Sequence, residues 1–209
     1  MKIIETCEQG SAEWLNMRLG KVTASRVKDV LSKGRGNTPS KTAESYMMEL
    51  IAEVLTGESK PFFENDAMRW GTETEPQARS MYEVNNDFVS VKEVAFVEIN
   101  DRVGISPDGL VGDDGLLEIK CPTTTTQIKR ALSGDYSADY KAQIQMQLWV
   151  TGRQWCDFVS FDPRLDCSAS YLQQRVERDE DYISEMKTKV FAFVERMNES
   201  IELLTTKQG

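Results

Sequence analysis

Apolar positions recur at helical spacing through the first part of the chain. Ser11 can cap a short helix carrying Trp14, Leu15 and Leu19, and Gly20 stops it. A second helix reads over 24–31. The stretch 32–39, Ser-Lys-Gly-Arg-Gly-Asn-Thr-Pro, reads as a mobile basic loop. Ala43, Tyr46, Met47, Leu50, Ile51 and Val54 then share one helical stripe that Gly57 ends. A further helix covers about 66–83 with Trp70, Ala78, Met81 and Tyr82, and Pro76 marks a kink or restart within it.

The period then shortens. Segments 88–91, 95–99 and 103–106 read as strands, and Gly112-Asp113-Asp114-Gly115 as a hairpin turn. A helix over 124–132 is closed by Gly134, and Ser137 caps a longer one to Val150. Two more strands read over 155–161 and 169–176. Asp179 opens a final helix through Ile183, Met186, Val190, Val194, Met197 and Ile201. Neither a repeat nor a linker interrupts this order. The pattern predicts an α/β fold: a single domain over 1–209, with a central mixed β-sheet flanked by helices.

The hairpin matters most, because it folds Asp108 back on the apolar run Leu116-Leu117-Glu118-Ile119-Lys120-Cys121. Strand side chains alternate faces, so Glu118 and Lys120 point one way and Leu117 and Ile119 the other, into the core. Two charges in an apolar strand are costly unless something pairs with them. A divalent cation held by Asp108 and Glu118, with the main-chain carbonyl of Ile119 completing the coordination and Lys120 alongside, supplies that partner. Taken singly, Asp108-Gly109 is a common turn and Glu118-x-Lys120 an ordinary ion pair.

The chain has no histidine. That removes a Ser-His-Asp triad, a Cys-His pair and a His-ligated zinc. Acid-base and metal work falls to Asp, Glu and Lys, whose hard oxygens suit Mg²⁺, with Mn²⁺ as a substitute. Cys7, Cys121, Cys156 and Cys167 form no CxxC pair and read as reduced thiols. With no apolar run near the roughly 20 residues of a membrane span and no signal-peptide pattern at the N-terminus, a cytoplasmic protein without a membrane partner is expected.

The net charge of −9 argues against nucleic acid until its distribution is read. Arg18, Lys21, Arg26, Lys28, Lys33, Arg35 and Lys41 stand against Asp29 alone, so 18–41 carries +6 and the remainder −15. A polyanion would be drawn to one side and repelled elsewhere. A third acid could come from Glu73 or Glu75, just before Pro76. Gln143 and Gln147 share a helix face at i,i+4 spacing.

Several ordered segments then resemble one family. They are Trp14 to Ser25, Trp70-Gly71 through Glu75, Ser106-Pro107-Asp108-Gly109-Leu110, Leu117 through Pro122, Ala142 through Gln145 with Trp149, Phe161-Asp162-Pro163-Arg164, and Glu177 through Glu180. They are similar to the phage lambda-type alkaline exonucleases of the PD-(D/E)xK nuclease superfamily, and the likeness runs along nearly the whole chain. The resemblance implies a restriction-endonuclease-like core and a processive 5′→3′ exonuclease. Such an enzyme digests one strand of linear duplex DNA to mononucleotides and leaves 3′ tails for recombination by strand annealing. Carried over by position, Asp108 and Glu118 bind metal, Lys120 orients or activates water, and Glu75 and Gln143 complete the site. Arg18, Ser25 and Ser106 match residues that grip the 5′ phosphate, and Met68 matches an apolar wedge that parts the last base pairs. The resemblance also implies double-stranded DNA ends as substrate, a homotrimeric ring and a single-strand annealing protein as partner. One departure stands out: Thr123 to Thr126 lies where a basic contact to the scissile strand is expected. An endonuclease with the same core, and a non-catalytic DNA-binding protein, are the rival readings.

Overall fold

Two mixed sheets carry the fold where one was expected. The computed structural model describes residues 1–5, 7, 9–35, 38–59 and 65–206. Gly36 and Asn37 of the expected basic loop lie outside the described residues. The first sheet has the order β1 (Lys2–Ile4), β4 (Phe96–Asn100), β5 (Val103–Ile105), β2 (Val22–Thr23). The second runs β3 (Val91–Lys92), β6 (Gly109–Val111), β7 (Gly115–Lys120), β8 (Trp155–Phe161), β9 (Tyr171–Glu177). The pairs β2–β5 and β7–β8 are parallel and the others antiparallel. The chain crosses from one sheet to the other through Ser106-Pro107-Asp108. Pro107 has no N–H for a ladder, so the strand ends there and a new sheet begins.

The helices are α1 (Ala12–Arg18), α2 (Val27–Leu31), α3 (Lys41–Thr56), α4 (Asp66–Asn85), α5 (Thr124–Ser133), α6 (Lys141–Thr151) and α7 (Glu180–Thr206). Ser11 and Ser40 cap α1 and α3 through their hydroxyls, and Gly57 ends α3 in the left-handed conformation. Pro76 sits inside α4 without dividing it.

The strand expected over 88–91 shrinks to Val91–Lys92, because Asp87 and Phe88 turn left-handed at φ 57° and 58° and the Phe88 N–H closes onto Glu83 O. Ser137 does not cap α6. It opens a short 3-10 turn, Ala138–Tyr140, and its N–H is spent on Gln174 Oε1. The pairing of β1 with β4 was not expected from the sequence.

Strand β7 is interior in its sheet and buried from Gly115 through Ile119. Leu117 and Ile119 pack with Ala78, Tyr82, Val111, Val159 and Phe161 on the α4 side. Leu116 joins the larger cluster with Ile144, Met146, Leu148 and Phe158, which places Glu118 on the α6 side by strand alternation. Gly112, at φ 50°, makes the hairpin turn, and a side chain on Gly115 would meet the Trp155 ring. Among the described residues no helix is long and apolar enough to cross a membrane.

Candidate active site

The β6–β7 hairpin brings Asp108 back onto β7, where its Oδ2 accepts the Ile119 N–H at 2.7 Å. One residue earlier, Glu118 is fully buried. Its Oε1 accepts from Lys120 Nζ and from Gln143 Nε2 at 2.5 Å, and its Oε2 accepts from Gln147 Nε2 at 2.6 Å. Gln143 and Gln147 lie one turn apart on α6, so a single helix face grips both oxygens of one carboxylate. The Lys120 ammonium also lies 5.4 Å from the Tyr140 ring centroid.

Glu75 comes from α4. Its Oε1 accepts from Arg79 Nη2 at 2.7 Å, and the same nitrogen reaches the main-chain carbonyl of Asp108 at 3.1 Å. Arg79 Nη1 pairs with Glu93. Glu73, the other candidate acid, is solvent-exposed.

These groups feel one another. Burial, then the charges of Glu118 and Glu75, push the Asp108 carboxyl well above the usual carboxylate range. Burial likewise raises Glu75, against the opposing pull of Arg79 and Lys120. Burial alone would lower Lys120, but the Glu118 and Asp108 carboxylates outweigh it and hold the ammonium protonated.

A second cluster forms on the neighbouring edge. Arg18 Nη1 donates to Ser106 Oγ at 3.1 Å and Nη2 reaches Ser25 Oγ at 3.5 Å. The guanidinium lies 4.2 Å from the Trp14 ring centroid, and the Trp14 indole N–H also donates to Ser106 Oγ, at 3.0 Å. Among the described residues Arg18 has no carboxylate at ion-pair distance. Two neighbouring basic residues differ in this respect: Lys21 pairs with Glu98, and Arg26 with Asp29 and Glu49.

Met68 sits in the first turn of α4 with 40% of its surface exposed. In the threonine run, Thr123 and Thr126 bond to each other at 3.0 Å. A cation does stand beside it: Arg164, chelated by Asp162, donates to Pro122 O at 3.1 Å and lies over the Trp70 ring. Gln147, Arg79 and Trp14 escaped assignment from the sequence. Each lies four residues along a helix from an assigned residue (Gln143, Glu75 and Arg18), which is the signal that could have found them.

Among the described residues no group of three or more His, Cys, Asp or Glu side chains is gathered to hold a metal ion. The donor set nevertheless fits a hard divalent cation. Asp108 Oδ1 and Glu75 Oε2 take no hydrogen bond among the described residues, and a cation would offset both the burial and the like charges that raise the two groups. Asp108, Glu118, Glu75 and the Ile119 carbonyl are the oxygens that would hold it.

The YqaJ-like viral recombinase domain matches residues 13–154, a segment that includes both clusters. The chain belongs to the YqaJ-like viral recombinase family. Among solved structures of similar proteins, the alkaline exonuclease LHK-Exo of Laribacter hongkongensis is 45% identical with a TM-score of 0.86, over 94% of this chain and 97% of that one. It has also been crystallised in complex with dAMP. This chain thus carries an exonuclease domain of the lambda type. A phage-related exonuclease of Haemophilus somnus 129PT, 19% identical with a TM-score of 0.68 over 88% of this chain and 96% of that one, shares the fold. An uncharacterized protein of Acanthamoeba polyphaga mimivirus is 29% identical over 177 residues, 76% of this chain and 30% of that protein. The chain thus spans about a third of that relative's length.

Proposed function

We propose that the protein is a Mg²⁺-dependent 5′→3′ exonuclease that removes mononucleotides from linear duplex DNA and leaves 3′ tails for strand annealing. The observation that carries the reading is the spacing of the two clusters. Ser106 belongs to the Arg18 cluster and Asp108 to the carboxylate cluster, with only Pro107 between them. A terminal 5′ phosphate held by Arg18, Ser25 and Ser106 would present its next phosphodiester to Asp108, Glu118 and Lys120.

Hydrolysis adds water at phosphorus and breaks the P–O3′ bond. The released nucleotide keeps its 5′ phosphate, and the shortened strand again ends in a 5′ phosphate. Each product end therefore suits the same pocket, which supports repeated cleavage without release. The nucleoside 5′-monophosphate bound to LHK-Exo has the chemistry of that product.

Lys120, bonded to the Glu118 carboxylate, supplies a donor and a positive charge beside the reacting phosphate. Gln143 and Gln147 fix the Glu118 carboxylate, and Arg79 fixes Glu75. A bound Mg²⁺, or Mn²⁺ in its place, would offset charge at phosphorus and make water more acidic. Met68, exposed at the start of α4, is the wedge in this reading.

The same reading takes 1–209 as one nuclease domain working in the bacterial or phage-infected host cytoplasm. It also takes a homotrimeric ring and a single-strand annealing partner as its assembly. A trimer mass in light scattering supports the ring, and a monomer at working concentration rejects it. The activity itself is tested on closed circular and linear forms of one duplex. Digestion of the linear form alone is expected, and cutting of the circle would favour an endonuclease.

A further inference from the structure

Ser106 Oγ receives two N–H groups, one from Trp14 Nε1 at 3.0 Å and one from Arg18 Nη1 at 3.1 Å. A serine hydroxyl has two lone pairs and one proton. With both lone pairs taken, its proton is the only polar valence left, and it must donate outward. The hydroxyl, which could otherwise accept or donate, is thereby set as a donor.

Trp14 also fixes the other half of the pocket. Arg18 follows it by four residues on α1, and the guanidinium stacks on the indole face at 4.2 Å. The indole is itself pinned, because its N–H is shared with Ala95 O at 3.2 Å, ahead of β4. One side chain thus aims a cation with its ring face and a hydroxyl proton with its ring edge, into a cluster that holds no carboxylate among the described residues.

We infer that Trp14 is the positioning residue of the 5′-phosphate pocket: it makes Ser106 an obligate donor and holds Arg18 in the plane that receives the anion. This rests on the reading of Arg18, Ser25 and Ser106 as that pocket. It concerns discrimination between ends rather than bond cleavage.

The test compares kcat/KM on linear duplexes bearing 5′-phosphate or 5′-hydroxyl ends. Trp14→Phe keeps an aromatic face for Arg18 and removes the N–H together with the pyrrole ring that carries it. The ratio of phosphate to hydroxyl ends is expected to fall about tenfold, the size of one neutral hydrogen bond. Ser106→Ala is expected to lower the ratio similarly. The double variant should fall no further than Ser106→Ala alone, because both changes act on one oxygen. An unchanged ratio in Trp14→Phe, an equal loss on both kinds of end, or additive losses in the double variant would overturn the assignment of Trp14. A parent protein with no preference for 5′-phosphate ends would instead overturn the pocket itself.

Discussion

The carboxylate of Glu118 and the amide of Gln147 meet at 2.6 Å, both fully buried. The bond uses the amide nitrogen and leaves Gln147 Oε1 buried without a partner among the described residues. Its value therefore lies in the orientation of Glu118. Gln147→Leu removes the orphaned oxygen but also strips the buried Glu118 Oε2 of its donor, so the metal-free protein should lose about 1–3 kcal/mol of stability. The apparent affinity for Mg²⁺, read by titration calorimetry and by activity, should weaken by about tenfold or more. Unaltered Mg²⁺ binding would show that Gln143 and Lys120 suffice to hold the carboxylate.

Asp108 links catalysis to pH-dependent stability. Burial and the Glu118 charge raise its pKa in the folded protein above the unfolded value. The protonated form is favoured by folding, so this contribution is complete below the ordinary carboxylate range and is lost as pH rises through the elevated value. Asn is neutral throughout. Metal-free Asp108→Asn should therefore melt above the parent at neutral and alkaline pH, by a margin that vanishes in acid. Its Mg²⁺-dependent digestion should fall by about 10³-fold or more. Melting curves of the two proteins across pH check the first point, and retained digestion would remove Asp108 from the site.

The same shift predicts how metal acts on the parent. Mg²⁺ binds the ionised carboxylates, so it should raise the melting temperature more in alkaline than in mildly acidic buffer. A thermal shift independent of pH would mean that the cation binds elsewhere.

Arg79 connects α4 to the hairpin through Glu75 and the Asp108 carbonyl. Arg79→Met keeps much of the apolar stem while releasing Glu75. Digestion at limiting Mg²⁺ should drop about ten- to a hundredfold and recover in part at saturating Mg²⁺. A loss that no Mg²⁺ concentration relieves would point to damage beyond Glu75.

Beneath the hairpin, Tyr82 Oη donates to Asp157 at 2.8 Å, and Arg175 chelates the same carboxylate. This buried tie pins α4 to β8 and β9. Tyr82→Phe should cost about 1–2 kcal/mol in denaturant unfolding while Arg175 keeps Asp157 paired. A neutral result would assign the whole tie to Arg175.

Much of this was legible in the sequence, for local reasons. Gly57 and Gly134 end helices, as read, because each adopts a left-handed conformation that other residues resist. Strand β8 keeps the expected bounds, since its apolar run is flanked by clear turn residues. The division into two sheets was not legible, because strand partners are set by long-range packing while pattern reports only local period. Phe88 misled for a related reason: its β-favouring side chain lies in a left-handed turn and is 79% exposed. At the site, the hairpin juxtaposing Asp108 and Glu118 followed from its turn residues. Arg79 and Trp14 required knowing which helix faces meet the crossover Ser106-Pro107-Asp108.

The most direct measurement labels a linear duplex at either its 5′ or its 3′ ends and follows release of label in Mg²⁺ and in chelator. The 5′ label should leave first, as mononucleotide, and only with Mg²⁺ present. Earlier release of the 3′ label, or digestion that persists in chelator, would contradict a carboxylate-held cation working on the strand's 5′ end.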